Sequence, residues 1–139
     1  MPTVKDIATK SIFSIDARKT VLEAAKLMSA YGRGSLIVNE GTSAHGIITE
    51  KDLIRRVLAK NLPYTTRVEE VMSKPLITVE ADMDIKDAAR LMLIKKIRRL
   101  PIEENGELIG TINSNDILRH FSKRTLTERI WDSLTSHSN

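Results

Sequence analysis

The chain has 139 residues, a formal charge of +4 and a pI near 9.5, with 41% hydrophobic and 29% charged residues. These values describe an ordinary globular chain, long enough for one domain or two very small ones. No apolar run reaches the length of a membrane span, the opening Met-Pro-Thr-Val-Lys-Asp does not read as a signal peptide, and the lack of cysteine excludes disulfides, thiolate metal sites and thiol nucleophiles. The expectation is a cytoplasmic protein with no membrane partner.

In chain order, residues 3–10 read as a short helix with Val4, Ile7 and Ala8 on one face, and residues 12–15 as a strand. Thr20 with Glu23 three positions later has the form of a capping box, and the helix it opens carries Ala24, Ala25, Leu27 and Met28 inward before Gly32 stops it. Residues 35–38 form a buried strand, residues 39–45 a hairpin turn, and residues 46–49 the returning strand. Residues 50–60 are a helix with Leu53, Ile54, Val57 and Leu58 at core spacing, and residues 61–66 are a linker. The second half repeats the plan. A short helix spans 68–72 and a strand 76–79, a helix starts at Asp84 and Asp87, and a strand spans 100–102. Asn105-Gly106 makes the hairpin turn, and a return strand spans 108–112. Residues 125–134 place Leu126, Ile130, Trp131 and Leu134 on one helical face, as a docking or dimer helix would.

The two halves are a duplication. A shift of 64 residues aligns 4–55 with 68–119 without a gap, matching Val4 to Val68, Leu27-Met28 to Leu91-Met92, Ile48 to Ile112 and Asp52 to Asp116. A half this small buries too little surface to stand comfortably alone, so the two are expected to share a core or pack face to face. The strongest repeated stretch is Gly46-Ile47-Ile48-Thr49-Glu50-Lys51-Asp52, returning as Gly110-Thr111-Ile112-Asn113-Ser114-Asn115-Asp116. Each copy sets a hydroxyl or amide residue at the end of a strand and an aspartate at the start of a helix. Beside free backbone N–H groups, that junction suits a polyol next to an anion, such as a ribose phosphate. Thr49 and Asp52 also satisfy a capping box, which would form with no ligand at all.

Three motifs carry a family resemblance: Gly46 to Asp52, the run Ile97-Arg98-Arg99-Leu100-Pro101-Ile102, and Lys74-Pro75-Leu76-Ile77-Thr78-Val79. Together, and repeated without a gap, they make residues 4–121 resemble a pair of CBS domains, or Bateman module. The resemblance implies an α/β (α+β) fold, a tandem pair of small three-stranded sheets with helices on one face, related by pseudo-two-fold symmetry. The division follows the repeat: residues 1–62 as the first domain, 63–66 as linker, 67–122 as the second domain, and 123–139 as a C-terminal amphipathic helix and tail. It also implies an adenine nucleotide bound between the domains, AMP first, with ADP, ATP or S-adenosylmethionine as alternatives. A regulatory module of this kind signals by conformational change, forms a homodimer and acts on an effector protein.

Carried over residue by residue, the first site comprises Ser14, Ile15, Ile47, Thr49 and Asp52, and the second Thr78, Val79, Thr111, Asn113 and Asp116. Arg98 and Arg99 are the phosphate contacts, with Arg33 and Lys51 as substitutes. The chain departs from the family pattern at Asn113, where Ser or Thr is usual, and at Gly34-Ser35, which stands where the second copy has Arg98-Arg99. His45, His120 and His137 lack ligand spacing, so no metal is expected. No nucleophile–base pair, P-loop or dinucleotide fingerprint appears, so the expectation is no enzyme and no cofactor. One alternative is a nucleic-acid-binding protein using the clusters Lys95-Lys96, Arg98-Arg99 and Arg119 with Lys123-Arg124. With only 4% aromatic residues, such binding would be weak, non-specific and salt-sensitive. The other is a dimerisation module without ligand.

Overall fold

The computed structural model describes residues 2–122 and Leu134. The amphipathic stretch expected at 125–134 lies outside the described residues apart from that leucine. The described chain runs α1 (Val4–Ile7), β1 (Ser14–Asp16), α2 (Val21–Tyr31), β2 (Ser35–Glu40), β3 (Ser43–Thr49) and α3 (Glu50–Asp52), which continues as a π-helical turn (Leu53–Leu58). It goes on through α4 (Val68–Val71), β4 (Val79–Glu80), α5 (Ile85–Lys95), β5 (Arg99–Glu104) and β6 (Glu107–Asn113), and residues 114–122 are helical, α6.

Two three-stranded sheets result, ordered β1-β2-β3 and β4-β5-β6, each with one parallel and one antiparallel pair. The middle strands β2 and β5 are the apolar runs, as strands paired on both sides should be. Leu36, Val38 and Ile48 turn one face of the first sheet onto α2, and Leu100, Ile102 and Ile112 do the same in the second, packing with residues of α5. The hairpin turns follow from their residues. Gly41 sits at φ 61°, and Asn105 and Gly106 at φ 54° and 80°, the left-handed region that these residues tolerate. Thr20 caps α2 by accepting from the Glu23 N–H at 3.2 Å, and Gly32 ends the helix at φ 62°. In α5 the same left-handed end falls on Lys96, at φ 56°.

Several elements differ from the sequence reading in length. Helix α1 is four residues and β4 only two. Residues 76–78 do not join the second sheet: the Leu76 N–H donates to His45 O at 3.2 Å instead. The linker is tied down, because Val21 N–H donates to Thr66 O at 2.8 Å and the Thr66 hydroxyl donates to Pro63 O at 2.6 Å.

The main departure concerns which segments pack together. One compact unit is Ile12–Ile77, and the other joins the N-terminal stretch up to Ser11 to the chain from Thr78 onward. The short helices have been exchanged. Val4 N–H donates to Met83 O at 2.8 Å and the Val4 side chain is fully buried with Val79, Ile85 and Ile112. Val68 N–H donates to Lys19 O at 2.8 Å, and Val68, Val71 and Met72 complete the core of Ile15, Leu36 and Ile48. Each unit thus has its own core, and each core borrows a helix from the other repeat.

Candidate functional site

Each unit places one strand-to-helix junction at the end of its sheet. In the unit Ile12–Ile77 the junction joins β3 to α3. Asp52 is buried, and its Oδ2 accepts from the Thr49 N–H at 2.9 Å and the Thr49 hydroxyl at 3.1 Å, while Thr49 Oγ1 accepts from the Asp52 N–H at 3.3 Å. The capping box is real and consumes one carboxylate oxygen. Among the described residues Oδ1 accepts no hydrogen bond, and Arg56 Nε forms a long ion pair with it at 3.6 Å. Among the described residues no fully buried side-chain oxygen lacks a partner, so this unbonded Oδ1 is reachable by solvent.

The second junction joins β6 to α6 in the same form. Asp116 Oδ2 accepts from the Asn113 N–H at 2.9 Å, and Asn113 Oδ1 accepts from the Asp116 N–H at 2.9 Å. Asparagine therefore caps as threonine does. Here Oδ1 is engaged, by Arg119 Nη2 in a close ion pair.

The sheets bring the other expected residues toward these junctions in different degrees. Ser14 pairs with Ile37 and Ile37 with Ile47, so the three form one row across the first sheet. Ser14 is exposed and Ile47 half-buried, while the Ile15 side chain belongs to the core and leaves only its backbone for a ligand. In the other unit Val79 is likewise a core residue, and Thr78 stands one residue before β4. The backbones of Ile47 and Thr111 are already used. Ile47 exchanges hydrogen bonds with Ser73 at 2.9 and 3.0 Å, and Thr111 with Thr9 at 2.9 Å each way.

These two pairings explain the glycines of the motif. A Cβ on Gly46 would lie 2.6 Å from Ser73 O, and one on Gly110 2.6 Å from Thr9 O. Each glycine lets the chain that follows an exchanged helix cross the sheet edge.

The cations are unequally shared. Arg99 pairs with Asn113 across β5 and β6, and Arg98 O accepts from the Ser114 N–H at 2.9 Å, so both arginines flank the second junction. At the first junction Ser35 and Gly34 take those places, with Gly34 O accepting from the Glu50 N–H at 3.0 Å. Arg33 is next in the chain, with its guanidinium over the Phe13 ring at 4.7 Å from the centroid. Lys51 is exposed.

Sequence reasoning missed two things. Arg56 and Arg119 follow their aspartates by four and three positions, a spacing that puts them on the same helical face and could have been read. An open groove of about 560 Å³ between the end of α2 and the start of α3, lined by Met28, Arg33, Glu50, Leu53 and Ile54 among others, had no sequence signal. Among the described residues no group of three or more His, Cys, Asp or Glu could hold a metal ion, and no helix is long and apolar enough to cross a membrane.

A duplicated sheet-and-helix unit with a capped aspartate at each junction is the architecture of a tandem pair of small domains. The CBS domain model matches residues 4–59 and 68–123, and the chain belongs to the CBS-domain family. CBS pairs are regulatory modules. The chain is 41% identical over 120 residues to the Methanopyrus kandleri protein MK0525, covering 84% of this chain and 61% of that protein, so it spans less than two thirds of that relative's length. It is 34% identical over 117 residues to the CBS domain-containing protein YhcV of Bacillus subtilis, covering 84% of each. Among solved structures, the CBS domain pair of protein MJ0100, in complex with 5′-methylthioadenosine and S-adenosyl-L-methionine, superposes with a TM-score of 0.80 at 28% identity, covering 89% of this chain and 98% of that one.

Proposed function

We propose that this protein is a regulatory module that binds an adenine nucleotide, with AMP as the first candidate and ADP, ATP or S-adenosylmethionine as related ligands. The observation that carries the reading is the Asp52 carboxylate. Its Oδ2 is held by the cap, so its orientation is set before any ligand arrives, and among the described residues no donor hydrogen-bonds its Oδ1. Adjacent hydroxyls of a ribose are donors of the right kind and spacing for such an oxygen. Asp116 is the corresponding group of the second site, with Arg98 and Arg99 beside it for phosphate, where the planar guanidinium can bind two oxygens at once. The complex of MJ0100 with two adenosyl compounds supports the same ligand class. A ligand that binds one conformation better than another shifts the population toward it, and that shift would be the signal read by an effector protein in the cytoplasm.

Isothermal calorimetry on protein stripped of co-purifying nucleotide tests this. AMP is expected to bind, and Asp52→Asn, which keeps a cap acceptor and removes the charge, is expected to weaken its first site roughly 10- to 100-fold. Unchanged affinity in a variant with an intact circular dichroism spectrum would remove the Asp52 assignment.

A further inference from the structure

The two aspartates face different neighbours, and the difference is built into the helices that follow them. Arg55 and Arg119 are equivalent in the repeat, each three residues after its aspartate. In regular helix α6 that spacing delivers Arg119 onto Asp116 Oδ1. After Asp52 the helix instead makes a π-helical turn, with Ala59 N–H donating to Ile54 O at 2.9 Å and Leu62 N–H to Val57 O at 3.0 Å. The wider turn shifts the side chains that follow, and among the described residues Arg55 makes no ion pair. Arg56 comes nearest to Asp52, yet its Nη1 donates to Val71 O at 3.1 Å and Met72 O at 3.2 Å, the carbonyls left open at the end of the borrowed helix α4. Its guanidinium is anchored to backbone and stops short of a hydrogen bond to the carboxylate. His120 stands at the corresponding position of the second repeat and cannot be that anchor in the same way.

We propose that Arg119 is an internal competitor for ligand at Asp116. It occupies the carboxylate oxygen that ribose hydroxyls would need, so the second site accepts a nucleoside only when Arg119 swings out, whereas at the first site Arg56, anchored to backbone, makes only a long ion pair of 3.6 Å and leaves Oδ1 free to accept a hydrogen bond. This rests on the adenine-nucleotide reading above and adds a ranking of the two sites with its cause. The Arg119 side chain is 68% exposed and Asp116 only 8%, so the arginine can leave into solvent while the carboxylate stays. The exposure also limits the effect, because a largely solvated cation holds its partner weakly.

The probe is adenosine, which has the ribose and no phosphate, so attraction between the arginine and a phosphate does not enter. Calorimetry is run on the wild type, on Asp52→Asn to silence the first site, and on Asp52→Asn carrying Arg119→Ala or Arg119→Gln. Loss of Arg119 is expected to tighten adenosine at the second site roughly 3- to 10-fold over Asp52→Asn alone, and Arg119→Lys to fall between. A purely structural arginine could lower thermal stability when removed but would not tighten binding. If the wild type binds adenosine while the Arg119 variants bind no more tightly than Asp52→Asn, or more weakly, the competitor role is overturned. If no protein in the series binds adenosine or AMP, the nucleotide reading itself fails.

Discussion

Gly46 shows how one residue serves two levels of structure. Its lack of a side chain has nothing to do with the turn chemistry of the hairpin. The carbonyl of Ser73 passes where its Cβ would be, with Met72 Sδ 3.0 Å from the same point. Gly46→Ala must displace backbone hydrogen-bonded in both directions to Ile47, and overpacking of this kind costs about 1–3 kcal/mol. Gly41 sits at positive φ with open space around it, so Gly41→Asn should be nearly neutral by comparison. Urea denaturation of the two variants checks the order, and equal stability would show that the crossing is not tight. The capping box at each aspartate is compatible with the ribose contact proposed above, because the carboxylate has two oxygens and the cap uses one.

At the level of elements, the exchanged helices decide what can fold. Val68, Val71 and Met72 close the core of the first sheet, and full burial of one such side chain contributes about 1.5–3 kcal/mol. A polypeptide of residues 12–77 keeps that core whole. A polypeptide of residues 1–62, cut at the repeat boundary, loses all three residues and carries α1 with no Met83, Ile85 or Ile112 to bury it. The expected result is a cooperative urea transition for 12–77 and none for 1–62. A cooperative transition for 1–62 would mean that α1 can replace α4 on the first sheet, as the match of Val4 to Val68 in the repeat allows in principle.

For the whole molecule, the exposed apolar side chains bear on assembly. Ile54 and Leu58 in one unit and Leu93, Ile94 and Leu118 in the other are each more than half exposed. Apolar exposure of this kind marks interaction surfaces when it is clustered, and Ile54 and Leu118 are the same position of the repeat. A homodimer is therefore expected, and light scattering should return about twice the 15.6 kDa chain mass. A monomer at high micromolar concentration would rule it out.

The sequence by itself determined the duplication, the order of elements, the buried middle strands and the two capped aspartates, because each rests on local signals: a period of two or of 3.6, a turn residue, a cap three positions from its partner. The family followed from the same motifs. Tertiary structure alone decided which short helix completes which core. Val4 and Val68 are equivalent in the repeat and equally suited to either sheet, so no local preference separates the self-contained arrangement from the exchanged one. It alone also decided the fate of the second aspartate oxygen. Arg55 and Arg119 have the same spacing from their aspartates, and only the π-helical turn, with Arg56 drawn to the end of a helix from the other repeat, leaves Asp52 with a long ion pair while Asp116 has a close, hydrogen-bonded one.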